Sequence, residues 1–350
     1  MIMTDLKKMN IQTLEVPDDP EEVYELFYER GWTDGLPVIP PTEERIAKML
    51  TGTKKEASHV LGTLPPSGND ATVGHVAINA VMAGCLPEYM PVLIAAVQAL
   101  AEPDLGLHNL QATTHPVAPL VIVNGPIRQR INMNSGCNLF GPANRANATI
   151  GRAVRLILLN IGGALPGALD LSTHGQPSKY SFCIAENEEE SPWEPLHVEM
   201  GFDRSVSTVT VNGVESPHNI NDHTAEDAEN LLTTIAASMS TQGNNNVLYQ
   251  DGEPLLVPAP EHARILAGSG FSKAQVKQYL YENARIPKKA FSRKHREMQF
   301  PNFADDDFIP VLRRPENLMV IVAGGAGKHT LFCPNYVIRS HAVTKVIEQE

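Results

Sequence analysis

Apolar and polar residues follow two spacings along the chain, and each spacing predicts a different kind of element. Helical spacing, with capping residues or proline near the start, is found at residues 17–30, 42–50, 72–83, 87–100, 143–160, 224–240, 260–267 and 272–284. Short β-branched or apolar runs are found at residues 119–124, 180–185, 206–213, 255–258 and 318–323. Strands and helices therefore interleave, as they do in α/β proteins.

The predicted fold is α/β, with a mixed sheet, helices on both faces and additional antiparallel strands in the middle of the chain, at residues 172–258. Four segments follow from the pattern. Residues 1–60 form a helical and extended segment, and residues 61–171 form one half of the α/β core. Residues 172–285 form the second half, and residues 286–350 hold a proline-rich surface excursion, a strand and a glycine loop. Residues 61–71 and 164–178 are predicted to be loops.

The helix at residues 143–160 carries the first candidate site. It is apolar on nearly all sides, which is typical of a buried helix, yet Arg145 and Arg152 share one face with Thr149. Gly151 in mid-helix indicates that another backbone or a ligand packs closely there. The two guanidinium groups, Asn147 and the helix N-terminus predict an anion site. The alternative is that both arginines form structural pairs with acids or carbonyls elsewhere.

Cys137 lies one loop before that helix, in the run Ser-Gly-Cys-Asn. A helix N-terminus and nearby arginines favour the thiolate, so Cys137 is a candidate nucleophile. The alternative is a small loop residue without chemistry.

A second glycine loop, residues 324–329, follows the last buried strand. It resembles a phosphate loop but lacks the spacing and the Ser or Thr of a Walker A motif, so magnesium–nucleotide binding is not predicted. The amides of Gly324 and Gly325 are expected to meet a carboxylate or phosphate, with Lys328 as counter-charge and His329 as general acid or base. A tight turn with a solvated lysine is the alternative.

Acidic and histidine residues add one candidate. Glu186 follows a predicted strand and is expected to pair with an arginine, to bind substrate or to act as a base, whereas Glu188–Glu190 are expected to be solvated. The spacings His108–His115 and His218–His223 match no standard zinc pattern, so no metal ligand and no cofactor is predicted.

Composition excludes several classes of partner. The 350-residue chain has a formal net charge of −12, which argues against a nucleic-acid groove or an anionic membrane surface. No signal peptide and no membrane span is predicted. The four widely spaced cysteines do not look like a disulfide framework, so a cytoplasmic location is expected. The proline-rich excursion favours a homo-oligomer.

Several stretches resemble a bacterial family of mostly uncharacterised proteins associated with UGSC-type (seleno)proteins. The stretches are GWTDGLPVIPPTEER, NAVMAGCLPEYMPV, FGPANRANATIGRAVRLILLNIGGA, ENEEESPWEPL and PEHARILAGSGFSKAQVKQYLYENAR. The UGSC motif is absent, and the nearest text is Ser135-Gly136-Cys137 in a different order. The resemblance implies a companion or larger relative, with thiol or selenol chemistry nearby, and it supplies no catalytic residues.

These observations predict an enzyme that acts on a small anionic metabolite, a carboxylate or a phosphate, with thiol or histidine chemistry. Such an enzyme would be a lyase, a hydrolase or a thiol-dependent oxidoreductase. Two alternatives stay open. One is a subunit or partner of a small thiol or selenol redox protein, and the other is a metal-dependent hydrolase or lyase.

Overall fold

A computed structural model describes residues 11, 13–16, 18–249, 251–336 and 338–348. Residues 1–10, part of the stretch in which the sequence predicts no signal peptide, lie outside the described residues. The α-helices in this part of the chain are α1 Pro20–Glu29, α2 Glu43–Leu50, α3 Val73–Ala83, α4 Met90–Leu100, α5 Leu107–Ala112, α6 Ile127–Arg130, α7 Arg145–Asn160, α8 Leu196–Glu199, α9 Ala228–Met239, α10 Asn245–Tyr249, α11 Pro260–Gly268, α12 Lys273–Asn283 and α13 Arg293–Gln299.

The strands form two four-stranded mixed sheets and two hairpins. Their bounds are β1 Val60–Leu64, β2 Asn69–Thr72, β3 Ala118–Asn124, β4 Cys183–Ala185, β5 Thr208–Val214, β6 His218–Asn221, β7 Leu255–Pro258, β8 Arg285–Pro287, β9 Phe308–Pro310, β10 Met319–Val320, β11 His329–Cys333 and β12 Val343–Val346. The first sheet has the order β12-β5-β3-β4, and the second has the order β10-β7-β11-β6. Only β3–β4 and β10–β7 pair in parallel within the described strands.

Alternate residues of each central strand belong to different hydrophobic clusters. In β3, Val121 and Val123 pack with α3, α4 and α7, whereas Leu120 and Ile122 pack with Leu255 and other residues of the second sheet. In β7 and β11, Leu256 and Phe332 pack on the opposite side, with α9 and α12. Since successive strand residues point to opposite faces, the layers are helices, first sheet, second sheet, helices.

The predicted α/β class and the mixed pairing are confirmed. The strands divide into two stacked sheets, however, and each sheet packs helices on its outer face. Residues 61–71, predicted to be a loop, form most of the β1–β2 hairpin. The excursion at residues 286–317 contains α13 and the β8–β9 hairpin.

Helix α7 begins at Arg145, and the Asn144 side chain caps it by accepting from the N–H of Asn147. The close approach predicted at Gly151 is confirmed: a Cβ placed there would lie 2.6 Å from the backbone nitrogen of Phe182. The first sheet therefore rests directly on this helix, and the loop before α7 is held at the end of β3 and β4.

No single helix in the described ranges is long and apolar enough to cross a membrane. One pair of helical segments, residues 87–100 and 103–112, reaches that length and composition only when taken together across a 70° bend.

Candidate functional site

The loop before α7 and the glycine loop near the C-terminus meet, although almost 190 residues separate them. The N–H of Gly324 donates to the carbonyl of Ser135 at 2.8 Å. A Cβ placed on Gly325 would lie 2.8 Å from both Cα and Cβ of Cys137, so the two backbones are in close contact. We call this contact between residues 132–144 and 324–329 the loop junction.

Asparagine side chains fix the conformation of the first loop. Asn134 accepts from the N–H of Gly136 at 3.0 Å and donates to the carbonyl of Cys137 at 2.9 Å. Buried Asn147 in turn accepts from the N–H of Asn134 and donates to its carbonyl, at 2.9 and 2.8 Å. Asn147, predicted to bind substrate, thus holds the loop in place through both the oxygen and the nitrogen of its side-chain amide.

Cys137 is exposed, whereas the other three cysteines of the chain are buried and all four are free thiols. Burial raises the pKa of Cys85 to about 12, and burial also raises the pKa values of Cys183 and Cys333. Of the four cysteines, the one at the junction is therefore the one that solvent reaches.

The second loop brings amides and one ammonium group to the junction. Lys328 Nζ donates to the carbonyls of His223 and Ala225, both at 3.1 Å, and forms no ion pair with a described carboxylate. The N–H of Gly327 donates to Glu261 Oε1 at 3.0 Å. Within the described residues, the N–H groups of Gly325 and Ala326 donate to no protein acceptor, so they are available to a ligand.

His329 ends this loop and starts β11. Its Nδ1 lies 3.1 Å from Asn219 Oδ1, so Nδ1 carries the hydrogen and Nε2 keeps a free lone pair. The ring of His223 meets the His329 ring edge-on, with centroids 5.2 Å apart. An imidazole with this tautomer fixed by a side chain is suited to accept a proton.

Arg145 and Arg152, the two arginines of α7 predicted to bind an anion, are engaged elsewhere. Arg145 donates twice to the carbonyl of Gly84. Arg152 forms a two-point pair with Asp34 and also donates to the carbonyls of residues 36 and 37. Burial raises the pKa of Asp34, but the bonds and charge of Arg152 outweigh it and hold that pKa below its ordinary value. The structural alternative thus describes both guanidinium groups: Arg152 fastens the N-terminal segment to α7, and Arg145 fastens the end of α3.

Glu186 lies at the end of β4 and is fully buried. Its Oε2 accepts from Asn124 Nδ2 at 2.6 Å and from the N–H of Leu196 at 2.8 Å. Glu188, predicted to be solvated, instead pairs with Arg128 at 3.0 Å, and its side chain is only 9% exposed. The sequence does not predict this ion pair, because a run of acidic residues after a strand is ordinarily solvated. No pattern around Arg128 marks it as the partner of an acidic residue.

No group of three or more His, Cys, Asp or Glu residues in the described ranges is placed to hold a metal ion. A cavity of about 240 Å³ lies elsewhere, beside Gly52, Arg130 and Ile347, and neither loop of the junction lines it.

Comparison of the chain with models of protein families, with curated proteins and with solved structures found no match.

Proposed function

We propose that the chain is an enzyme acting on a small anionic metabolite, a carboxylate or a phosphate, bound at the loop junction. One observation carries the proposal: Cys137, an exposed cysteine, places its Cα and Cβ against Gly325, in a glycine loop that ends in Lys328 and His329. Backbone amides and a positive charge that bind an anion therefore adjoin a nucleophile and an imidazole.

Each residue has a role in this proposal. The amides of Gly325 and Ala326 bind the anion, and Lys328 supplies the positive charge. Cys137 acts as nucleophile, and His329 accepts or returns a proton through Nε2. Arg145 and Arg152 position α7 and the N-terminal segment and do not contact the substrate.

The experiment measures alkylation of the native protein by iodoacetamide. We expect one thiol per chain to react rapidly, and Cys137→Ser to remove that reaction while the fold, followed by circular dichroism, is retained. Inorganic phosphate or malonate is expected to slow the reaction. Rapid labelling that survives in Cys137→Ser, or a rate unchanged by saturating concentrations of both anions, would contradict the proposal.

A matched pair of variants tests the role of Lys328. Lys328→Met is expected to weaken the protection that phosphate gives, whereas Lys289→Met, which removes an exposed lysine from another surface, is expected to leave it unchanged. Equal protection in both variants would exclude Lys328 from the anion site.

The exposed thiol also supports the second candidate, a partner of a small thiol or selenol redox protein. In that case the Cys137 thiolate attacks a disulfide or selenenylsulfide of the oxidised partner, the second thiolate of the partner leaves, and a mixed disulfide forms that Cys137→Ser cannot form. Four free thiols support a reducing compartment such as the cytoplasm for either function.

A further inference from the structure

Three neighbouring residues on the inner face of the first sheet each have a buried oxygen without a hydrogen-bond partner in the described part of the chain. The oxygens are Glu186 Oε1, Asn124 Oδ1 and Thr208 Oγ1. Asn124 pairs directly with Thr208 across β3 and β5, and it donates to Glu186 on the other side. We call these three residues, which follow one another across β4, β3 and β5, the inter-sheet row.

The surroundings of Glu186 Oε1 indicate the protonation state of this carboxyl group. If Glu186 is ionised, Oε1 is a buried charged acceptor that meets no donor among the described residues. A buried acceptor without a donor is costly, so this state is strongly disfavoured. A proton on Glu186 Oε1 removes the charge and with it most of this cost.

A second carboxyl group beside the row reinforces the assignment. Glu188 Oε1 lies 3.2 Å from Asn124 Nδ2, so one amide group joins both carboxyl groups. Glu188 Oε1 also accepts from the N–H of Gly125 at 2.7 Å and pairs with Arg128 Nε at 3.0 Å. Two carboxyl groups this close do not both ionise readily, and the donors around Glu188 select it as the charged one.

We infer that Glu186 and Glu188 form a proton site in which Glu186 holds the proton, Glu188 holds the charge, and loss of the proton changes the conformation of the loop junction. The last part rests on the proposed function. Burial raises the pKa of Glu186 to about 7, in agreement with this assignment. The charge of Glu188 acts in the same direction, and Lys273 of α12 opposes it.

Other charged groups face the site from neighbouring elements. Arg128 of α6 donates to the backbone carbonyl of Glu186. His197 of α8 is fully buried, with Nδ1 3.9 Å from Glu188 Oε1, and burial lowers its pKa.

The backbone connects this proton site to the loop junction. The residue after Glu186, Asn187, donates its N–H to the carbonyl of Val322 at 2.8 Å, and Gly324 two residues on is bonded to Ser135. Because Glu186 is buried, its protonation acts on the junction through the position of this strand end and not by direct transfer of the proton.

The test compares the pH dependence of urea unfolding in the wild type and in Glu186→Gln, the neutral isostere. A raised folded-state pKa means that the folded protein binds the proton more tightly, so stability falls as pH rises from about 5 to 8. Relative to the variant, the unfolding constant of the wild type is expected to rise on the order of 100-fold over that range. A variant that unfolds at pH 8, or that loses more stability at pH 8 than at pH 5, would overturn the assignment.

Glu188→Gln is the matched control. It removes the charged partner of Arg128, so it is expected to destabilise the protein at pH 8, opposite to Glu186→Gln. Equal behaviour of the two variants would contradict the division of proton and charge.

Alkylation of Cys137 separates this inference from the proposed function. If loss of the proton changes the junction, the alkylation rate of the wild type shows a change with pH near neutrality that is absent from Glu186→Gln. Identical pH profiles in the two proteins would mean that the pair affects only the stability of the protein, and would overturn its effect on the junction. Loss of anion protection in both proteins would instead contradict the proposed function and leave the proton assignment standing.

Discussion

Substitution of Gly325 by alanine probes the loop junction directly. The new Cβ would lie 2.8 Å from Cα and Cβ of Cys137 and 3.1 Å from its backbone nitrogen. Backbone atoms cannot move aside as the end of a flexible side chain can. The clash is therefore relieved only by separating the two loops, which strains the bond from Gly324 to Ser135. Overpacking of this kind costs about 1–3 kcal/mol, and we expect Gly325→Ala to lower the free energy of unfolding by that amount.

Urea unfolding measures this loss, and the alkylation rate of Cys137 reports whether the loops have separated. Gly268→Ala is the control, because a Cβ at that helix end would meet nothing within 4 Å. Its stability is expected to stay level or rise by up to about 1 kcal/mol. If Gly325→Ala matched this control in stability and in alkylation rate, the contact between the loops would not exist as described.

Two further substitutions test the attachments of α7. Asp34→Asn leaves Arg152 without its charged partner and is expected to cost about 3 kcal/mol at pH 7. The lowered folded-state pKa of Asp34 means that this contribution is present above its ordinary value of 3.8 and is lost as pH falls through the folded value. The variant and the wild type should therefore converge in acid unfolding experiments, and a constant difference would contradict the ion pair. Gly151→Ala gains about 1 kcal/mol of helix propensity but places a Cβ 2.6 Å from the backbone of Phe182. We expect net destabilisation in thermal unfolding, and a raised melting temperature would refute the close packing of helix on sheet.

Elements with one strong signal were predictable from the sequence. The β-branched run of β3 and the apolar α7 stand at the predicted places, and the structure extends β3 by one residue and starts α7 two residues later. The β1–β2 hairpin was missed because its exposed strands have little apolar alternation and a proline-rich turn.

The stacking of the two sheets could not be predicted from the sequence because of the composition of β5. Val209 and Val211 face the helices, while Thr208, Thr210 and Asn212 on the alternate face look like a solvated surface in the sequence. That polar face instead lies against the second sheet, where Asn212 Nδ2 donates to the carbonyl of Glu253. Only the position of the second sheet distinguishes a buried polar face from an exposed one, and short-range patterns do not carry that information.

The candidate site was predictable to the same degree. Local composition singled out both glycine loops and Cys137. Local composition could not predict the structural role of Arg152 in α7, because its partner Asp34 lies 118 residues away along the chain. Glu186 and Glu188 differ in role through contacts with Asn124 and Arg128, which only the folded chain brings to them.

The most direct test of the anion site compares iodoacetate with iodoacetamide as reagents for Cys137. The rate constant of iodoacetate is divided by that of iodoacetamide for the native protein, and this ratio is divided by the same ratio for N-acetylcysteine. We predict a quotient above one that falls when inorganic phosphate is added, because the junction attracts the anionic reagent. A quotient below one, which repulsion by a chain of net charge −12 would produce, would contradict the account.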